Sequence, residues 1–271
     1  MSKNRVKVCV LRVGGTNCDA ETKRSLVELG ADAEVVHMNQ IVEKKKLEEY
    51  DALVIPGGFS YGDYVRAGVI WAKEILGKIG PNLKTFLEEE KPVLGICNGF
   101  QVLVETGLLP GIEGISPFPT ATLATNFSAK YECRWIYLRH ENRGRCIFTQ
   151  DLTKDQVLYM PVAHGEGCFA LPKENEKKLL DRLIENDQIV LRYCNRDGSP
   201  AEGRYPENPN GSIYDIAGIC DPTGIVFGLM PHPERAFYGW QLPDWTSLKE
   251  LPVYADGKQI FKSMLNYFKN R

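Results

Sequence analysis

Apolar and polar residues alternate in blocks along the first hundred positions. Val6-Lys-Val-Cys-Val-Leu-Arg-Val13 is a β-branched run ending at Gly14-Gly15, which predicts a strand. From Asp19 to Leu29 the apolar spacing is that of a helix, stopped by Gly30. Ala33 to His37 reads as a second strand, followed by a charged, helix-like stretch. Ala52-Leu-Val-Ile55 reads as a third strand, cut off by the breaker Pro56-Gly57-Gly58. Ala67–Ile79 and Leu83–Glu89 read as two helices, Pro92–Ile96 as a strand, and Asn98–Glu105 as a helix closed by Gly107. This alternation predicts an α/β fold, an open and mostly parallel sheet flanked by helices, with ligands beyond the carboxyl ends of the strands.

After Pro110 the pattern changes. Tyr131–Leu138, Val157–Pro161 and Ile189–Cys194 read as strands with little helix between them, so the second half is expected to form an antiparallel extension. Asn195–Ser212, rich in Gly, Pro and Asn, reads as an exposed loop. Ile225–Met230 returns as a strand and Gln259–Lys269 as a final helix. With no repeat, low-complexity tract or linker, residues 1–271 are expected to form a single domain.

Composition narrows the class. The chain is 43% hydrophobic and 25% charged, which is ordinary for a globular protein. A net charge of -2 and a pI of about 6.2 leave no basic footprint. Nucleic acid and anionic membranes are therefore not expected as main partners, whereas a small polar substrate is. The N-terminal apolar run is too short to span a membrane and lacks the features of a signal peptide, so a cytosolic location is expected. The 8 cysteines are scattered without a CxxC pair and there are only 4 histidines, so no metal is expected and most thiols should be small buried hydrophobes.

Three segments carry candidate chemistry. Gly95-Ile-Cys97-Asn-Gly99 lies between a strand and a helix, where a sharp turn lifts a nucleophile above a sheet. Glycines there avoid clashes with neighbouring backbone, and the helix N-terminus favours the thiolate, so Cys97 is expected to be exposed and activated. Alone, the segment also fits an ordinary strand-end cysteine. Met230-Pro-His232-Pro-Glu234-Arg235 ends another strand. Pro233 pushes His232 toward extended backbone, in which residues two apart face one side, so Glu234 can orient His232 as a base for Cys97. Alone, it also fits a rigid surface turn. Pro56-Gly57-Gly58-Phe59 can turn backbone N–H groups toward an oxyanion, and as easily form a plain turn.

P-G-G, G-x-C-x-G-x-Q and H-P-E in this order resemble the class I, triad-type glutamine amidotransferases, whose fold is flavodoxin-like. Gly14-Gly15-Thr-Asn17-Cys-Asp19, Gly58-Phe-Ser-Tyr61-Gly-Asp63-Tyr, Glu132-Cys-Arg-Trp135, Ala163-His164-Gly-Glu166-Gly167 and Asn208-Pro-Asn-Gly-Ser212 extend the resemblance, over nearly the whole chain, to the glutaminase subunits of phosphoribosylformylglycinamidine synthase. The resemblance implies a triad of Cys97, His232 and Glu234, an oxyanion hole of backbone N–H groups at Gly58 and Asn98, and Gln101 helping to seat glutamine. It places His164 and Glu166 in a loop near the active site, able to contact substrate or partner or to serve only as a turn. Asp63 and Arg66 read as a solvated face rather than a partner interface, and Cys168 as packing. No G-x-x-x-x-G-K-[ST] loop is present. The resemblance accordingly puts ATP and magnesium on a large synthetase subunit, joined by a small bridging subunit, with no cofactor on this chain. A stand-alone hydrolase such as a γ-glutamyl peptidase, and a binding module that has lost the chemistry, remain as alternatives.

Overall fold

The computed structural model describes residues 5–44 and 46–269, so Lys45 and the extreme ends of the expected 1–271 unit lie outside the described residues. In chain order it comprises β1 (Lys7–Arg12), α1 (Asp19–Glu28), β2 (Asp32–His37), α2 (Met38–Glu43), β3 (Ala52–Ile55), α3 (Val69–Glu88), β4 (Val93–Ile96) and α4 (Asn98–Glu105). The second half adds β5 (Thr122–Thr125), β6 (Glu132–His140), β7 (Val157–His164), β8 (Glu166–Ala170), α5 (Glu176–Glu185), β9 (Ile189–Cys194), β10 (Ile216–Cys220), β11 (Val226–Leu229) and α6 (Lys258–Tyr267).

The main sheet has the order β2-β1-β3-β4-β11-β10-β9-β6-β7. From β2 to β11 neighbouring strands are parallel. From β11 to β7 they are antiparallel. The expected parallel core and antiparallel extension are both present. The short parallel strands β3, β4 and β11 are buried along their whole length, as strands covered on both faces must be. β11 comes late in the chain yet lies at the centre, with Leu229 in register with Ile96. β5 and β8 pair separately as a two-stranded sheet.

Several boundaries differ from the sequence reading. The two helices expected around Pro81 are one, α3, continuous through the proline. Pro81 removes one helical hydrogen bond and its ring crowds the carbonyl one turn back, at Gly77. Burial of Trp71, Ile75, Ile79, Leu83 and Phe86 along one stripe, about 1.5–3 kcal/mol for each fully buried side chain, outweighs that loss. α5 contradicts the expectation of little helix in the second half. Its Leu179, Leu180 and Leu183 have helical spacing but are outweighed in the sequence by charged neighbours. The loop 195–212 is exposed only in part, since Ala201, Asn208, Asn210 and Ser212 are buried. There, Asn side chains satisfy backbone groups, as in Asn208 Oδ1 accepting from Gly211 N at 2.8 Å.

Candidate active site

Cys97 occupies the turn between β4 and α4 with φ 50° and ψ -104°, a strained conformation for a residue with a side chain. The flanking glycines are sterically required. A Cβ on Gly99 would lie 1.9 Å from the Ile55 carbonyl oxygen, and one on Gly95 would lie 2.6 Å from the Gly99 oxygen. The turn is locked to β11 by Cys97 N donating to Leu229 O at 2.8 Å. Contrary to expectation the thiol is not exposed: Cys97 is 5% accessible and its Sγ donates to Ala163 O at 3.6 Å. The cause is the coiling of the sheet. β7 stands four places from β11 in the strand order but bends back over its end, so that His232 N donates to Pro161 O at 2.9 Å.

His232 Nδ1 and Glu234 Oε1 are 2.5 Å apart and almost fully buried. The pairing matches the expected partnership, but the route differs. His232 is extended, whereas Pro233–Arg235 forms a 3₁₀ turn that swings the carboxylate round to the ring. With Nδ1–H committed to Glu234, Nε2 is the nitrogen left for proton transfer, and it has no hydrogen-bond partner among the described residues. Burial by itself disfavours a charged imidazole. The Glu234 carboxylate, then Cys97, then Cys18 outweigh it and hold the His232 pKa well above its ordinary value.

Cys18 is a contact that the sequence reading missed, taking it as one packing thiol among eight. Its Sγ lies 3.9 Å from His232 Nδ1 and receives a hydrogen bond from Arg235 Nη2 at 3.2 Å, while Arg235 Nε donates to Glu21 Oε1 at 2.7 Å. Burial pushes the Cys18 thiol up to about 12, so it stays protonated. Gly57 completes the wall, since a Cβ there would meet His232 Cε1 at 2.7 Å and Cys18 Sγ at 3.2 Å. The available signal was the adjacency of Arg235 to Glu234 and the place of Cys18 directly after the loop that follows β1. Cys18, His232 and Glu234 also offer three potential metal-ligand atoms within 4.8 Å of one another, although the Nδ1–Glu234 hydrogen bond already engages two of those residues.

Gly58 (φ 148°) packs so closely on the loop after β1 that a Cβ would lie 2.8 Å from both Asn17 N and Thr16 Cα. This loop is pinned by Phe59 N to Gly15 O and Tyr61 N to Gly14 O, neither of which uses the Gly58 N–H. Asn98 opens α4, where helix geometry leaves the first N–H groups without internal partners. Its side chain accepts from Ser60 N at 3.2 Å and donates to Gln101 Oε1 at 2.9 Å. Gln101 Nε2 in turn donates to Glu166 O at 2.5 Å. Gln101 is therefore a buried tie between α4 and β8.

His164 is buried, with Nδ1 3.0 Å from Asn126 Oδ1; burial, reinforced by the nearby His232, lowers its pKa to about 3. Asn126 Oδ1 also accepts from Gly167 N, and its Nδ2 donates to Lys130 O and His164 O. That pattern makes Nδ1 of His164 the protonated nitrogen. Glu166 caps Ala67 N at 3.1 Å. Arg66 pairs with Glu105 at 2.9 Å, and Asp63 is half-buried rather than on a solvated face. All eight cysteines are free thiols, with Cys133 exposed, Cys168 half-buried and the others buried.

A buried thiol at a strained strand–helix turn, beside an imidazole held by a carboxylate, is the arrangement of a triad hydrolase. Comparison with known proteins places it more closely: residues 5–268 match the CobB/CobQ-like glutamine amidotransferase domain, and the chain belongs to that family. Within it the chain is 46% identical over 277 residues to phosphoribosylformylglycinamidine synthase subunit PurQ of Archaeoglobus fulgidus, covering 98% of both chains. It is 42% identical to the subunit of the same name from Methanococcus maripaludis, covering 97% of both. Among solved structures it is similar to a chain of PurLQS from Thermotoga maritima, with a TM-score of 0.73, 33% identity, and 98% and 100% of the two chains covered.

Proposed function

We propose that this chain is the glutaminase subunit of a phosphoribosylformylglycinamidine synthase, hydrolysing glutamine and passing the ammonia to a synthetase subunit. The observation that carries the reading is the 2.5 Å contact of His232 with Glu234 beside the strained Cys97 turn, in a chain related end to end to PurQ subunits.

In this reading Cys97 Sγ attacks the side-chain amide carbon of glutamine. Negative charge on the amide oxygen is met by backbone N–H groups at Gly58 and Asn98. His232, carrying the proton taken from the thiol, delivers it from Nε2 to the departing nitrogen, releasing ammonia and leaving a γ-glutamyl thioester. Water then attacks the thioester, His232 takes its proton, and the thiol is regenerated with release of glutamate. Glu234 holds the ring and stabilises its charged form throughout. Gln101 keeps α4 and β8 at the spacing that seats the substrate.

Acceptor chemistry lies outside the chain: ATP and magnesium act on the synthetase subunit, a small third subunit joins the two, and this chain needs neither cofactor. Among the described residues no helix is long and apolar enough to cross a membrane. The cytosol is the proposed location. The test supplies the synthetase subunit with formylglycinamide ribonucleotide, ATP, magnesium and either glutamine or ammonium. Amidine formation from glutamine only when this chain is present is expected, with Cys97→Ala removing the glutamine-dependent reaction alone. Loss of both reactions with Cys97→Ala would overturn the division of labour, and rapid partner-independent glutaminase turnover would favour a stand-alone hydrolase.

A further inference from the structure

At Gly165 the chain leaves the nine-stranded sheet at the end of β7 and enters the two-stranded sheet as β8. A corner of this kind turns backbone N–H and C=O groups out of the ladders, and buried ones need other partners. Asn126, just past β5 and 2% accessible, supplies them. Its Oδ1 accepts from His164 Nδ1 and from Gly167 N, each at 3.0 Å. Its Nδ2 donates to His164 O at 2.7 Å and to Lys130 O at 2.9 Å, and its backbone N donates to Gly165 O at 2.9 Å. Both donors and both accepting positions of the amide are filled, the condition under which a buried polar group fixes one geometry. The corner has no slack, since a Cβ on Gly167 would lie 2.4 Å from His164 Cε1.

The corner bears directly on the chemistry. Ala163 O accepts from Cys97 Sγ at 3.6 Å, and Pro161 O accepts from His232 N at 2.9 Å. Glu166 O accepts from Gln101 Nε2 at 2.5 Å, and the Glu166 carboxylate accepts from Ala67 N at 3.1 Å. Thiol and imidazole are thus both tied to the last residues of β7. Asn126 reaches them through the corner, and its amide is required as an amide. A carboxylate of the same shape keeps the two accepting contacts and sets an oxygen against the His164 and Lys130 carbonyls.

We propose that Asn126 is a positioning residue that holds the 163–167 corner closed over Cys97 and so keeps the thiol in working register with His232. The inference rests on the reading of Cys97 as the nucleophile. A misplacement of about 1 Å at a reacting group costs roughly 10²-fold in rate, so a loosened corner shows in turnover well before it shows in the fold.

The test compares Asn126→Ala and Asn126→Asp with Asn142→Ala. Asn142 is equally buried, donates to Asp187 O at 2.6 Å, accepts from Gly144 N and Cys146 N, and follows the opposite end of β6. Three quantities are measured: thermal unfolding, the rate at which iodoacetamide alkylates Cys97 in the full chain, followed on the Cys97 peptide by mass spectrometry, and glutamine- and ammonia-dependent synthesis with the synthetase subunit. Both Asn126 variants are expected to expose the covered thiol and speed its alkylation by about threefold or more. Glutamine-dependent kcat/KM should fall by about tenfold or more, chiefly through kcat, with the ammonia-dependent reaction unchanged. Asn142→Ala should lower the melting temperature comparably and leave alkylation and synthesis within about twofold of the parent. Alkylation that is unchanged or slower in folded Asn126 variants, or that Asn142→Ala accelerates equally, would overturn the positioning role. If the parent chain supports no glutamine-dependent synthesis, the functional reading falls, and the alkylation comparison still decides whether Asn126 holds the corner over Cys97.

Discussion

Gln101 donates to the Glu166 carbonyl at 2.5 Å while accepting from Asn98 Nδ2 at 2.9 Å, so one side chain couples the helix behind the nucleophile to the strand that lies over it. Gln101→Leu leaves the Glu166 carbonyl and the Asn98 amide without their partner. A loss of about 1–3 kcal/mol, roughly 5- to 150-fold in kcat/KM for glutamine, is expected from steady-state kinetics, and an unchanged value would show that the tie has no bearing on the reaction.

Glu234→Gln preserves shape but removes the charge that holds His232 protonated. Glutaminase kcat is expected to fall by about 10²- to 10⁴-fold. Because the folded pKa of His232 drops toward its ordinary value, the alkaline limb of the kcat/KM profile should move to lower pH. A profile with an unmoved limb would contradict the assigned role.

Gly57→Ala and Gly99→Ala separate chemistry from folding. A methyl at Gly57 would lie 2.7 Å from His232 Cε1 and 3.2 Å from the Cys18 sulfur, pushing the ring from its place on Glu234, so activity should fall by about tenfold or more with a smaller loss of stability than at Gly99. At Gly99 the obstacle is the backbone of β3, which cannot step aside, and destabilisation of about 3 kcal/mol is expected in denaturant titration. Equal stability of the two variants would refute this contrast.

Cys18→Ser keeps a small polar atom between Arg235 and His232, whereas Cys18→Ala removes it. The alanine variant should lose more kcat than the serine variant, by about threefold to tenfold, with KM for glutamine nearly unchanged. Identical kinetics for the two would reduce Cys18 to packing.

His164 is buried neutral, with a folded pKa of about 3 against an unfolded value of 6.5. Between those values the unfolded chain binds the extra proton, so stability rises with pH, is complete above about 6.5 and is lost as pH falls toward 3. Relative to His164→Gln, the parent should show an additional slope of up to about 1.4 kcal/mol per pH unit in that window. Parallel stability curves would rule it out.

The sequence carries the parallel half well, because β3, β4 and α4 are continuous apolar runs bounded by Gly and Pro and need no distant partner to be recognised. It carries the triad for the same reason: the glycines around Cys97 and the prolines around His232 are local signatures. What is not legible depends on contacts between distant segments. β8 and β10 are short and interrupted by Gly167 and Gly218, whose positions are fixed by the His164 ring and by β11. The burial of Cys97 follows from the path of β7 over the end of β11, which no periodicity encodes. The same holds for Cys18, which meets His232 only because the loops after β1 and β3 pack together.

The insertion of β11 between β4 and β10 has a consequence for the order in which the molecule comes into being. The thiol belongs to the first half of the polypeptide, and its base arrives more than a hundred residues later, just beyond the strand that closes the middle of the sheet. A growing chain therefore has a gap where β11 will lie and a nucleophile without a base. It cannot release ammonia until β11 and the turn beyond it are in place, so the chemistry begins only once the middle of the sheet is filled.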